Sequence, residues 1–148
     1  MRFETRTIPS PQDPTKPLLT PWGTEVRRPE IHIELLDSIG DAPFDTWAVV
    51  DSGADISMVN VSYALSLGID LSKIKEIEVK GIYNESVEAK PSKVTFRLTK
   101  LKEEIELPVL FIDSQNVNVL LGREVFFSEF KIRFNIAKDF FYLEKPRF

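Results

Sequence analysis

A mainly-β fold, a barrel or sandwich with one or two short helices, is what the sequence predicts. Three observations lead there. Short apolar, β-rich runs recur along the chain, and several alternate with polar residues at the two-residue period of a half-buried strand. Turn clusters rich in Gly, Asn and Asp divide these runs, so there is little room for long helices. The length of 148 residues suits one domain, or at most two very small ones, with a real core.

The elements follow in order. Pro9, Pro11, Pro14, Pro17 and Pro21 are half of the ten prolines. Proline fixes φ and lacks an N–H, so this stretch is no interior strand or helix. Residues 1–29 read as a proline-rich N-terminal arm that docks through Leu18, Leu19 and Trp22, or as a poorly ordered leader. Residues 30–148 read as the folded domain. Ile31 to Leu35 is a first strand, ended by the turn cluster Asp37-Ser38-Ile39-Gly40-Asp41. Phe44 to Val50 is a second, apolar and buried. Residues 58–67 are expected as a short helix stopped by Gly68. Lys75–Val79, Ser92–Leu98, Ile105–Ile112 and Val117–Leu121 are further strands. Arg123 to Phe130 has room for two helical turns, and Lys131–Asn135 with Phe140–Glu144 forms a closing hairpin. Phe140, Phe141 and Tyr142 belong to a core or to an interface.

Composition excludes much chemistry. With no cysteine there is no disulfide, thiolate metal site or cysteine nucleophile. A single histidine, His32, rules out a His-rich metal site. A net charge of −4 does not attract phosphate backbones, so nucleic acid is not an expected partner. No run approaches the roughly 18 apolar residues of a membrane span. The first residues lack the apolar stretch of a signal peptide, so the expected compartment is the cytoplasm. On that basis the glycosylation-type tripeptides at Asn60 and Asn84 are chance matches.

Asp51 is the residue that points to chemistry. It follows Trp47-Ala48-Val49-Val50, so a buried strand carries a carboxylate out to its mouth. Such a group is costly unless it is hydrogen-bonded or used. Ser52 and Gly53 follow, and glycine permits a tight loop with close backbone approach. Taken alone, Asp-Ser-Gly is an ordinary strand-ending turn. Its context is more specific: apolar–apolar–Asp51-Ser52-Gly53-Ala54-Asp55, about seventy residues, then Val119-Leu120-Leu121-Gly122-Arg123 before a short helical segment.

This pattern resembles the retropepsin-like aspartic proteases, over residues 30–144. The resemblance implies a closed acid-protease β-barrel that is active as a homodimer and needs no metal or other cofactor. Asp51 matches the catalytic aspartate. Ser52 matches the loop hydroxyl that bonds across the subunit interface, and Gly53 and Ala54 complete the loop. Gly53 also sits where backbone approaches substrate, and Asp55 matches an acidic residue shaping the groove. Leu120, Leu121 and Gly122 match the segment packed beneath the loop. Arg123 matches an arginine that braces the Asp55 position, or else it is a surface residue. A flap is implied within residues 76–90, its tip near Gly81, Ile82 and Tyr83, over a peptide or protein substrate.

The physics of the implied site needs only carboxylates and water. Two carboxylates about 3 Å apart cannot easily both ionise and so share a proton. One member then takes a proton from water while the other polarises the scissile carbonyl. One chain holds one such motif, so the second aspartate must come from a second copy.

The sequence also departs from the family. Ser52 stands where threonine is commoner, the flap has one glycine, and the chain continues past the helix to Phe148. Two rival readings remain: a dimeric peptide- or protein-binding module of the same fold that does not cut, and a serine hydrolase pairing Ser52 or Ser57 with His32.

Overall fold

The computed structural model describes residues 1–80, 85–115 and 117–146. The alternating runs become strands β1 (Arg2–Glu4), β2 (Arg6–Thr7), β3 (Arg27–Arg28), β4 (Glu30–Leu36), β5 (Phe44–Val50), β6 (Ser57–Asn60), β7 (Ile77–Lys80), β8 (Ser86–Leu98), β9 (Glu103–Ile112) and β10 (Val119–Leu121). A one-turn helix α1 (Phe126–Glu129) precedes β11 (Lys131–Asn135) and β12 (Phe140–Glu144). The chain divides into two compact units, Ile31–Ser128 and Met1–Glu30 with Glu129–Phe148.

In the larger unit the strand order is β4-β5-β10-β6-β9-β8, and β8 pairs back onto β4. That closes a six-stranded barrel, the mainly-β closed architecture expected. Closure removes the open edges that a sheet of this size would otherwise expose. The pleat sends alternate side chains inward. Ile31, Ile33, Leu35, Ala48, Val50, Val94, Phe96, Leu98, Leu107 and Val109 are all buried. Each large apolar side chain so buried contributes roughly 1.5–3 kcal/mol against exposure. Phe126 of α1 packs against Phe96, with ring centroids 6.1 Å apart.

Strand β8 is long because it serves two partners on one edge. Its C-terminal part pairs with β4 from Thr95 to Leu98, and its N-terminal part pairs with β7 from Ser86 to Ala89. Pro91 falls in the gap between these pairings, where that edge has no strand awaiting an N–H. Beyond the barrel, β7 and the start of β8 therefore form a projecting hairpin.

The expected helix over 58–67 is not formed. Ser57–Asn60 is a strand, parallel to β9 and antiparallel to β10. A single 3₁₀ turn, Val61–Tyr63, follows, with the Asn60 side chain accepting the Ser62 N–H. The stretch MVNVSYAL suits either period locally, and strand neighbours on both sides decide it. The helical stretch expected from Arg123 to Phe130 is shorter, one turn at Phe126–Glu129.

In the smaller unit, β12 lies between β1 and β11 in an antiparallel sheet, with Phe3 opposite Phe141 and Phe134 opposite Phe141 on the other side. Phe141 and Leu143 are buried. Residues 8–26 fold back in short turns, with isolated bridges at Pro9–Pro17 and Leu19–Glu25. Arg27 ties this region together. Its guanidinium donates to the Thr5 and Thr7 hydroxyls and the Thr5 carbonyl, and it meets the Asp139 carboxylate at 3.3 Å. Among the described residues no helix is long and apolar enough to cross a membrane.

Candidate active site

Strand order creates the setting. β5 runs into residues 51–56, and the chain returns as β6, yet the two strands are not neighbours. β10 lies between them, parallel to β5 and antiparallel to β6. The loop from Asp51 to Ile56 must therefore bridge over the end of β10.

Asp51 extends the β5–β10 ladder by one bond, its N–H donating to the Leu121 carbonyl at 3.0 Å. Its side chain is half-buried while Ser52 and Gly53 are exposed. The Gly53 N–H donates to Asp51 Oδ1 at 2.9 Å, and the Ala54 N–H turns back to the Asp51 carbonyl at 3.3 Å. A Cβ on Gly53 would lie 3.2 Å from that same Oδ1, so glycine lets the amide close on the carboxylate.

The segment after β10 forms the floor. Gly122 N–H donates to the Ser57 hydroxyl at 3.0 Å, Arg123 N–H to the Ala54 carbonyl at 2.8 Å, and Glu124 N–H to the Asp55 carbonyl at 2.9 Å. Gly122 has an ordinary negative-side φ; its requirement is space. A Cβ there would stand 2.7 Å from the Ile56 carbonyl carbon and oxygen. Leu121 is buried and Leu120 half-buried in the same strand. The segment that holds Leu120, Leu121 and Gly122 thus runs beneath the loop.

Asp55 and Arg123 also meet. The Arg123 guanidinium donates to Asp55 Oδ1 across the gap between loop and floor. Both side chains are exposed, so the pair adds direction more than stability.

The hairpin of β7 and β8 occupies the region expected for a flap, with Lys80 opposite Ser86 nearest its end. Gly81, Ile82 and Tyr83, expected at the tip, lie outside the described residues. The hairpin base shares an apolar cluster with the loop: Ala89, Leu110 and Ile112 are buried there, with Ile56, Met58, Val79 and Val117 packed against them. Lys90 tethers the base further, its ammonium donating to the Leu71 carbonyl at 2.7 Å.

Two supporting residues were not assigned these roles from sequence. Ser57 is 1% exposed, and its hydroxyl serves Gly122. The signal available was strand parity, since Ser57 shares the inward face with Val59. Asn60 donates to the Ser114 and Val117 carbonyls and so holds the approach to β10. That amide, matched above by a glycosylation pattern, is engaged within the fold.

The serine-hydrolase reading finds no geometry. His32 Nε2 lies 2.9 Å from the Asp45 carboxylate and Nδ1 lies 3.0 Å from the Thr99 hydroxyl. Both ring nitrogens are occupied, and neither Ser52 nor Ser57 is a partner. Among the described residues no three His, Cys, Asp or Glu side chains gather as a metal site.

Comparison with known proteins bears on the family and the fold. The family model described as aspartyl protease matches residues 38–125, more than half of the chain. No curated protein matches the sequence. Among solved structures, a retropepsin-like aspartic protease from Rickettsia conorii is similar at 20% identity, with a TM-score of 0.54, covering 84% of this chain and 85% of that one. EIAV protease complexed with the inhibitor HBY-793 is similar at 22% identity, with a TM-score of 0.49, covering 66% of this chain and 84% of that one.

Proposed function

The chain belongs to the aspartyl protease family, and from that membership we propose that it is an aspartic endopeptidase whose site is completed by a second copy. The observation that carries this reading is the construction of the Asp51 loop. A carboxylate at a barrel mouth is oriented by the Gly53 N–H and floored by residues 121–124. That is a large investment of backbone hydrogen bonds in the pose of one acid. No described residue places a second carboxylate on Asp51, and the chain has one Asp-Ser-Gly loop. A twofold dimer supplies the missing acid.

In the proposed dimer, two Asp51 carboxylates share one proton and titrate as a pair. The ionised member takes a proton from a bound water, whose oxygen attacks the peptide carbonyl carbon. The protonated member hydrogen-bonds the carbonyl oxygen as it becomes a tetrahedral alkoxide. Collapse breaks the C–N bond, and the amine leaves with a proton returned by the pair. Gly53 and Asp55 line the groove in this reading.

Asp51→Asn is the decisive variant. Asparagine retains an Oδ1 for the Gly53 N–H, so loop geometry survives while the ionisable group is lost. Cleavage of a diverse peptide library between about pH 3 and 7 should fall about a thousandfold or more. Sedimentation should show a dimer. Equal cleavage by the variant, no cleavage by either, or a monomer at high concentration would refute the reading. A folded dimer that binds peptides but cuts none would mark the non-catalytic module.

A further inference from the structure

Four consecutive residues of the floor bond upward: the Leu121 carbonyl, then the amides of Gly122, Arg123 and Glu124. Their partners are the Asp51 amide, the Ser57 hydroxyl and the carbonyls of Ala54 and Asp55. Three of these links run backbone to backbone. The Gly122–Ser57 link alone uses a side chain.

The reason lies in the ladder. β10 pairs antiparallel with β6 at Val119–Val59 and Leu120–Met58, and there the pairing stops. The chain then bends beneath the loop, so backbone no longer answers the Gly122 N–H. Gly122 cannot shift away to find another acceptor, because it lies against the Ile56 backbone. A buried amide without an acceptor is costly, and water has no room in backbone contact this close. The hydroxyl of Ser57, itself 1% exposed, fills the gap at 3.0 Å.

We propose that Ser57 is a positioning residue for Asp51, acting through Gly122 to fix the height of the floor. The inference rests on the reading of Asp51 as the catalytic carboxylate. Loss of the hydroxyl lets residues 121–124 drop or twist. The Leu121 carbonyl then moves under the Asp51 amide, and the Ala54 and Asp55 carbonyls lose their donors. Asp51 remains present but is misaimed, so turnover falls while substrate affinity changes little.

The test uses Ser57→Ala together with the pair Ser57→Thr and Ser57→Val, which add equal bulk and differ in the hydroxyl. Two readouts are taken on the full chain: kcat and KM on a cleaved peptide, and the Gly122 and Gly53 amide signals by NMR. Ser57→Ala should lose about tenfold in kcat with KM within about twofold. Ser57→Val should show the same loss relative to Ser57→Thr. In both, Gly122 should lose exchange protection and the Gly53 amide, which bonds Asp51, should shift. A folded Ser57→Ala with unchanged kcat and an unmoved Gly53 amide would overturn the proposal, as would a lowered thermal midpoint alone. If the larger residues prevent folding, Ser57→Ala decides. If the wild type cleaves nothing, the protease reading fails separately, and the two amide signals still judge Ser57.

Discussion

Gly122 passes so close beneath Ile56 that a Cβ on it would stand 2.7 Å from the Ile56 carbonyl carbon and oxygen. The Ala54 carbonyl would lie 3.0 Å away, so backbone crowds the position from two residues. Gly122→Ala must push loop and floor apart. It should destabilise the domain by about 2–3 kcal/mol, measured by urea unfolding. Wild-type stability would show that the loop yields freely.

Val125 has φ +65°, a left-handed conformation that β-branched residues rarely adopt. It sits one residue after Glu124, which bonds the Asp55 carbonyl, and its own carbonyl accepts the Ser128 hydroxyl and amide. These anchors on either side hold the strain in place. Val125→Gly removes a penalty of about 1–2 kcal/mol and adds unfolded-state entropy, so it should be neutral or mildly stabilising. A loss above about 1 kcal/mol in the same unfolding assay would contradict this.

Glu78 and Glu88 are directly opposite on the projecting hairpin, and both are exposed. Like charges in that position weaken a strand pair. Glu88→Lys turns repulsion into attraction and should tighten the hairpin by about 0.5 kcal/mol. Hydrogen exchange of the hairpin amides should slow, and the gain should shrink as salt is raised. Faster exchange would count against the pairing.

The Thr15 hydroxyl donates to Asp13 Oδ1 at 2.7 Å and the Thr15 amide to the same oxygen at 3.1 Å. These bonds, the hydroxyl first, hold the Asp13 carboxyl below the ordinary aspartate value. A depressed folded value means the stabilisation is present above the unfolded value and is lost as pH falls through the folded one. In Thr15→Val the Asp13 carbon signal should titrate at higher pH than in the wild type. An unmoved midpoint would remove the hydroxyl as the cause.

Much of this was legible in the sequence because it is local. Lys131–Asn135 announces itself by alternation, and Phe140–Glu144 by a run of aromatic and apolar residues. Asp51 stood out from its place after a buried strand, while its floor and the meeting of Asp55 with Arg123 were implied only by the family resemblance that two short motifs carry. Ser57–Asn60 was misread because both of its strand partners come later in the chain. The pairing of Arg2–Glu4 with Phe140–Glu144 was invisible for the same reason. Ser57 and Asn60 escaped as supports because they bond backbone groups, which leave no mark on residue identity.

The insertion of β10 between β5 and β6 also sets the timing of the site during synthesis. Asp51 leaves the ribosome about seventy residues before Leu121, the group that receives its amide. Until then the loop has no floor, and its ends join strands that cannot pair with each other. The nascent chain therefore carries its acid in an unformed state while about seventy further residues are made. Closure depends on contacts distant in sequence, which form late. A message cut short before Val119 yields a chain with the Asp-Ser-Gly sequence and no place to aim it.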